Sequence, residues 1–443
     1  MIIRSIVLFG LYLGFILLPL VVGALLDPFT EARPFLTELS VAFGYVGLSI
    51  MAFEFTLISR LHSVAGAFGQ DALLQFHKEM GLFSFVLILF HPVLLVLSSF
   101  LPWSWMLLPW SEAPTAVRFG SWALLSLTLL ILTSLFRRRL HMAYEWWDLV
   151  HRLTATAAVV MGLLHTYNVG SYAALPGMRM VWSGYLLLLV ILGVRYRVVV
   201  PWNLRKRPWR VVTNKPERGH STTLVLKPEG HTGFSFQPGQ FAWLVTGRSA
   251  FSQQRHPISF SSCGDVDPQG EVAFTIKNLG DWSGRVVPSL KSGDVLWIDG
   301  PYGVFTTDRY EAPGYVLIGG GVGITPLRSM IETMKARQDV RPILLFYGTK
   351  NWEETTFRDD IHTLADQMPN LKVIYVLENP PSDWRGERGL MTSDILRRHL
   401  PTQYKRFRYF VCGPAPLMDL MEELLPDIGV PPDRIHTERF ETV

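Results

Sequence analysis

The chain has 443 residues, 49% of them hydrophobic, and a formal charge of +4. That length suits two or three domains, and that apolar content is high for a purely water-soluble protein, so a membrane part is expected. Only two cysteines occur, Cys263 and Cys412, which excludes a disulfide framework and a four-cysteine iron–sulfur centre within one chain; the basic residues cluster beside apolar segments, and with no DNA- or RNA-binding motif nucleic acid is excluded as a partner.

Spanning a bilayer takes about 20 apolar residues in a helix. Six stretches qualify: 3–25, 39–59, 79–101, 119–136, 151–168 and 178–196. The first is read as a span and not a signal peptide, because its apolar core is long and the "GALLDPF" after it lacks a small-x-small cleavage site. Arg4, Arg60, Lys78, Arg137, Arg138, Arg139, Arg152, Arg195, Arg197, Arg205, Lys206 and Arg207 fall on one side of these spans, against Arg33, Arg118 and Arg179 on the other. Positive charge favours the cytoplasmic side. The expected topology is a multi-pass cell-membrane protein with its N-terminus and everything after the sixth span in the cytoplasm. Spans three and five then run in the same direction.

Span three carries His77 and His91 in "HKEMGLFSFVLILFH", and span five carries His151 and His165 in "HRLTATAAVVMGLLH". Each pair is fourteen residues apart, nearly four helical turns, so both imidazoles of a helix share one face about 21 Å apart along the axis. Because the helices are parallel, His77 levels with His151 and His91 with His165. Two stacked pairs of facing imidazoles are what two bis-histidine b-type haems need. Single histidines at helix ends are often interfacial, and His62 and His141 are read that way. The doubled spacing sets the other four apart as metal ligands.

From 206 to 308 short strands separated by Gly, Pro and Asp turns suggest a small antiparallel β-barrel. From 309 to 443 strands alternate with helical patterns: "GYVLIGGG", "PILLFYGT", "LKVIYVLE" and "RYFVCGP" read as a parallel sheet, with "PLRSMIETMKAR" and "PLMDLMEELL" as helices. The turn "GGGVGITP" joins the first of these strands to its helix. Glycines there let a backbone approach a pyrophosphate and a helix N-terminus supplies donors, although the full dinucleotide fingerprint is missing. Upstream, "HPISFSS" and "FTIKNLGDWS" offer a histidine, a lysine, hydroxyls and a Gly-x-x-Ser turn to a phosphorylated ligand. "FVCGP" sets Cys412 and Gly413 at the C-terminal edge of a sheet strand, where open α/β sheets bind ligands. The chain finishes "IHTERFETV".

Together these motifs resemble the NADPH oxidase and ferric reductase superfamily, over nearly all of the chain: a six-helix ferric reductase-like transmembrane domain fused to a ferredoxin-NADP reductase-type module. The resemblance implies three domains, 1–205 holding two haems, 206–308 binding FAD, and 309–443 binding NAD(P)H. It implies flavin binding at His256, Pro257, Ile258 and Ser259, with Ile258 standing where the family has an aromatic, and at Lys277, Gly280 and Ser283. It gives the nicotinamide-nucleotide turn to Gly319, Gly320, Gly321, Gly323, Thr325 and Pro326, with Thr325 near the nicotinamide. Cys412, Gly413 and Pro414 match its "CGP", which puts Cys412 near the carbon that gives up hydride. Phe440 matches the C-terminal aromatic over the flavin, although three residues follow it here. Glu438 joins Cys412, Thr325 and Phe440 as a candidate catalytic position.

The expected activity is hydride transfer from NAD(P)H to FAD, then single electrons to an inner haem on His77 and His151, to an outer haem on His91 and His165, and out to a small-molecule acceptor. Something must split the electron pair, and a flavin does so. In NADPH oxidases a second histidine one turn after the outer ligand and an arginine from an earlier helix assist oxygen; here Leu95 stands at the first position and span two has no arginine in its core. The outer loops set Arg33, Arg118 and Arg179 against Asp27, Glu31, Glu38 and Glu112, a poor surface for an anionic ferric chelate, so the reading favours O2 and superoxide over ferric reduction. The alternative is a membrane-anchored flavin reductase without haem that feeds a protein partner or a quinone. Lys350 and nearby Arg358 are candidates for a 2′-phosphate, favouring NADPH over NADH. Any protein partner or oligomer stays open.

Overall fold

The computed structural model describes residues 2–26, 33–59, 62–107, 113–265 and 270–439. The chain forms two compact units, Met1–Phe68 with Ala72–Val199, and Gly69–Asp71 with Val200–Val443.

Among the described residues, the first unit contains six helices long and apolar enough to cross a membrane: α1 (Ile2–Leu25), α2 (Phe35–Leu57), α3 (Gln70–Leu97), α4 (Thr115–Leu135), α5 (Tyr144–Asn168) and α6 (Pro176–Val194). Tyr45, Leu48 and Met51 of α2, Leu127 and Leu130 of α4, Ala158, Val159 and Leu163 of α5, and Trp182 and Tyr185 of α6 bury one another. Outward faces carry exposed leucines such as Leu125, Leu129, Leu132 and Leu187, which suit a lipid and not a water surroundings. Two helices differ from the sequence reading. α3 and α5 begin about two turns before the apolar windows at 79 and 151, because mixed polar and apolar residues with an acid in the first turn (Asp71, Glu145), which suits a helix N-terminus, continue each helix beyond its window. His77 and His151 therefore stand inside their helices, not at the ends. His141 sits in the turn between α4 and α5 with a positive φ of 51°, and the side chain of His62 lies outside the described residues.

The second unit begins with six antiparallel strands, β1 (Pro208–Glu217), β2 (Ser221–Pro228), β3 (Phe241–Val245), β4 (Arg255–Ser259), β5 (Val272–Lys277) and β6 (Val295–Tyr302), in the order β4-β3-β6-β1-β2-β5. A bridge between Phe260 and Phe274 joins the two edge strands, closing the sheet around Trp209, Leu224, Leu226, Phe260, Phe274 and Leu296. This is the expected small barrel.

A parallel sheet follows: β7 (Tyr315–Gly320), β8 (Ile343–Thr349), β9 (Leu371–Leu377), β10 (Glu387–Arg388), β11 (Arg408–Gly413) and β12 (Ile435–Arg439), in the order β10-β9-β8-β7-β11-β12. Its central strands are buried on both faces, as parallel strands are. Helices α7 (Ile324–Ala336) and α8 (Arg358–Gln367) cover one face; α9 (Ser393–His399) and α10 (Ala415–Asp427) cover the other. The four strands named from the sequence are present, joined by β10 and by β12, which the sequence reading leaves as an unassigned tail. Successive strands move one way from β7 through β8 to β9 and the other way from β11 to β12. The order thus reverses between β7 and β11, the kind of crevice where such sheets bind ligands.

β12 also brings a pH-dependent contact. His436 stacks on Tyr310, with centroids 3.9 Å apart and planes at 17°, and its Nε2 is buried without a hydrogen-bond partner among the described residues. Burial, with Arg408 nearby, pushes its pKa down to about 4, against about 6.5 in an unfolded chain. The unfolded state therefore binds the proton first as pH falls through this window, so the contribution is complete above about 6.5 and is lost toward 4. The detergent-solubilised full chain is expected to melt at a lower temperature at pH 5 than at pH 7.5, and His436→Phe to lose less across that interval. Equal losses in both proteins would remove His436 as the cause.

Candidate functional site

In the membrane unit, no group of three or more His, Cys, Asp or Glu among the described residues is placed to hold a metal. What stands out is two pairs. The rings of His77 and His151 lie 6.2 Å apart, centroid to centroid, and those of His91 and His165 lie 6.0 Å apart. With a metal–imidazole bond of about 2 Å and roughly an ångström from each nitrogen to its ring centre, one shared metal sets two centroids about 6 Å apart. Both pairs fit that separation.

A second observation concerns the other ring nitrogen. His91 Nδ1 lies 2.8 Å from the Ser40 carbonyl oxygen and 2.9 Å from the Ser40 hydroxyl. His165 Nδ1 lies 2.8 Å from the Ala116 carbonyl oxygen. His151 Nδ1 lies 3.1 Å from Ser134 Oγ, whose own proton goes to the Leu130 carbonyl. His77 Nδ1 contacts a carboxylate oxygen of Glu54. In all four, Nδ1 has an oxygen within hydrogen-bond reach and Nε2 is the ring nitrogen left to face its partner imidazole, an arrangement that would suit a metal-bound imidazole. Close approach is enforced by glycine. A Cβ on Gly44 would lie 3.0 Å from His91 Nδ1, and one on Gly120 would lie 2.9 Å from His165 Nδ1.

Sequence reasoning found the four imidazoles but not their support. Ser40, Ser134 and Ala116 carry no recognisable signal, since two of the acceptors are main-chain carbonyls. Glu54 did carry one: an ionisable side chain inside an apolar span is itself a pointer to function.

In the second unit, the glycine turn sits at the switch point between β7 and β11. Gly319 is in register with Cys412, and a Cβ on Gly323 would lie 2.2 Å from the Cys412 carbonyl oxygen. Gly321 has φ of +53°, which favours glycine. Gly320 abuts Pro414, 2.9 Å from where its Cβ would be. The turn and "CGP", Cys412 to Pro414, are thus one packed element. Thr325 is buried and its hydroxyl donates to the Val322 carbonyl at 2.7 Å, so it holds the turn in shape; Pro326 is buried in the first turn of α7. Lys277, last in β5, brings its Nζ within 3.9 Å of a Cβ position on Gly321. That sets an ammonium beside the turn, where a phosphate would gain from it.

Cys412 is fully buried, and burial, with Glu438 nearby, pushes its thiol well above the ordinary range. Glu438, in register with Cys412 on β12, is buried too, and burial raises its carboxyl well above the usual value. Its Oε2 has no hydrogen-bond partner among the described residues. The pair can keep a proton at neutral pH beside the edge of the sheet.

In the barrel, His256 stacks on Trp282 at 3.9 Å and 23°, and the Trp282 indole N–H donates to Thr246 Oγ1 at 2.8 Å. Trp282 and Thr246 escaped the sequence reading, although the tryptophan lies within the motif it used. Pro257 is exposed, Ile258 packs against the barrel core, and Ser259 is buried with its hydroxyl unpartnered among the described residues. Ser283 Oγ accepts the amides of Leu279 and Gly280 at 2.9 and 3.0 Å. Those two donors therefore shape the turn from within, while the space beside Gly280 is open. After β8, Lys350 is exposed, whereas Arg358 lies over Trp352 at 4.9 Å and bonds Asp359. Phe440 lies outside the described residues.

Two family models match the chain: a ferric reductase like transmembrane component over residues 43–162 and an oxidoreductase NAD-binding domain over residues 317–423. A flavohemoprotein of Deinococcus radiodurans is 32% identical over 242 residues, 53% of this chain and 59% of that protein. NADH-cytochrome b5 reductase 1 of Aspergillus terreus is 31% identical over 199 residues, 43% of this chain and 63% of that protein. The chain thus spans about three fifths of these relatives. The FAD/NAD binding domain of a nitric oxide dioxygenase from Vibrio cholerae is similar in structure, at 24% identity and a TM-score of 0.47, over 53% of this chain and 98% of that one.

Proposed function

Starting from a chain that is a transmembrane oxidoreductase with both parts of a ferric reductase/NADPH oxidase-type fusion, we propose that it carries electrons from cytoplasmic NAD(P)H through FAD and two b-type haems to an extracytoplasmic acceptor. The carrying observation is the two imidazole pairs at 6.2 and 6.0 Å, each ring fixed through Nδ1. When bound, a flavin accepts hydride and gives electrons singly, and each haem carries one. The chain's residues do the holding. His77 and His151 would hold one haem iron and His91 and His165 the other. Gly319 to Gly323 admit the dinucleotide's phosphates beside Lys277, and Cys412 and Glu438 stay protonated next to the reacting edge.

His91 and His165 would both be taken up in holding the outer haem, which would supply single electrons to an acceptor that these two residues do not themselves bind. Beyond the His91–His165 pair, Arg33 is 3.2 Å from Glu38, and Tyr172 donates to the same carboxylate at 3.3 Å. This cation is already neutralised, which disfavours an anionic chelate and leaves a small neutral acceptor, O2, with superoxide as product. The test is NAD(P)H oxidation with ferric chelate without air, set against superoxide dismutase-sensitive cytochrome c reduction in air. A preparation with flavin but no reduced-minus-oxidised b-type band would instead be a haem-free flavin reductase on a membrane anchor.

For the nucleotide, Arg358 is engaged and Lys350 is open, so Lys350 is the residue that meets a 2′-phosphate. Lys350→Ala is expected to lower kcat/KM for NADPH about tenfold, or roughly 1.4 kcal/mol, and to leave NADH unaffected. An unchanged NADPH:NADH ratio would exclude it.

A further inference from the structure

The four ring supports in the membrane unit are not equivalent. Three imidazoles give their Nδ1–H to uncharged oxygens: the Ser40 carbonyl and hydroxyl, the Ala116 carbonyl, and the Ser134 hydroxyl. Only His77 faces a carboxylate, that of Glu54. Glu54 sits in α2, is 7% exposed, and its second oxygen, Oε1, has no hydrogen-bond partner among the described residues. A buried carboxyl in a membrane helix is costly. One whose side-chain hydrogen bond, among the described residues, goes to the back of a candidate ligand imidazole is placed to act through that ring.

The physical consequence follows from ligand basicity. A carboxylate drawing on Nδ1–H makes the imidazole a stronger electron donor through Nε2 than a carbonyl or a hydroxyl does, and a stronger donor stabilises the ferric over the ferrous state. Second-shell hydrogen bonding is one of the means by which a protein sets a haem's potential. We infer that Glu54 is a positioning residue that makes the haem on His77 and His151 the lower-potential member of the pair, so that an electron passes spontaneously toward the haem on His91 and His165. This rests on the two-haem reading above. The difference among the four supports comes from one side chain on α2, since the other three acceptors are uncharged.

The test is a redox titration of the purified holoprotein, followed at the haem bands, with low-spin ferric EPR as a second readout. In wild type two components are expected. In His165→Ala, which keeps only the His77–His151 site, the surviving haem should be the lower component, and finding the higher one would overturn the inference without using any Glu54 variant. Glu54→Gln keeps the size of the side chain and removes its charge. It should raise the lower midpoint by a tenfold change in the reduced-to-oxidised ratio, about 59 mV for one electron, alter one of two EPR signals, and leave the other component in place. Two haems with unchanged midpoints in Glu54→Gln would also overturn it. Absence of any b-type spectrum from wild type would instead defeat the two-haem reading, so the two failures are distinguishable.

Discussion

Replacing His165 by alanine is expected, on the two-haem reading proposed above, to leave one haem per chain in place of two and to lower reduction of the proposed extracytoplasmic acceptor by about 100-fold, close to 2.7 kcal/mol. The magnitude follows from position. His165 faces His91 at 6.0 Å, and among the described residues no third His, Cys, Asp or Glu joins the pair to supply a ligand in its place. The first site, on His77 and His151, has its own acceptors in Glu54 and Ser134 and should keep its iron. Reduction of a water-soluble dye at the flavin should also continue at the wild-type rate, because that reaction draws only on the second unit. Haem quantification and paired assays with the two acceptors check this. A variant that keeps both haems would remove His165 as a ligand.

The second large effect is expected at Gly323. Its ideal Cβ falls 2.2 Å from the carbonyl oxygen and 2.5 Å from the carbonyl carbon of Cys412. Both are main-chain atoms of β11, which is hydrogen-bonded to β7 on one side and β12 on the other. A rotamer change cannot relieve the clash; the glycine turn and "CGP" must separate. Gly323→Ala is therefore expected to lower kcat/KM for NAD(P)H about 100-fold, again near 2.7 kcal/mol, with flavin content retained because Trp209, Leu224 and Phe274 hold the barrel together as a core of its own. Flavin absorbance and steady-state kinetics measure the two separately. Normal kinetics in this variant would show that the turn does not hold the nucleotide.

Much of this was legible in the sequence for a definable reason. Fourteen residues is close to a whole number of helical turns, so the match between His77/His91 and His151/His165 survives any small error in helix boundaries, and α3 and α5 did start about two turns early. The barrel and the parallel sheet were likewise visible in turn chemistry and buried runs such as "YVLIGG". What could not be read lies across the chain. Ser40 meets His91 from 51 positions away and Ala116 meets His165 from 49, and a main-chain carbonyl looks the same at every residue. β12 escaped because "IHTER" is one apolar residue followed by four polar ones, with no strand alternation, and it becomes a strand only by registering on β11. Lys350 and Arg358 looked alike as free cations until Trp352 and Asp359 were seen to occupy the second.

The distribution of the imidazoles over the helices also bears on how the protein is made. Each pair takes one ring from α3 and one from α5, and the acceptors behind the rings come from α2 and α4. A nascent chain that has reached Leu135 already contains His77 and His91, together with Glu54, Ser40, Ser134 and Ala116, yet neither ring has anything opposite it. Both imidazole pairs are completed by the fifth helix alone, and the acceptors for His151 and His165 both lie on the helix before it, so on the two-haem reading proposed above both metal sites would depend on the placement of a single helix.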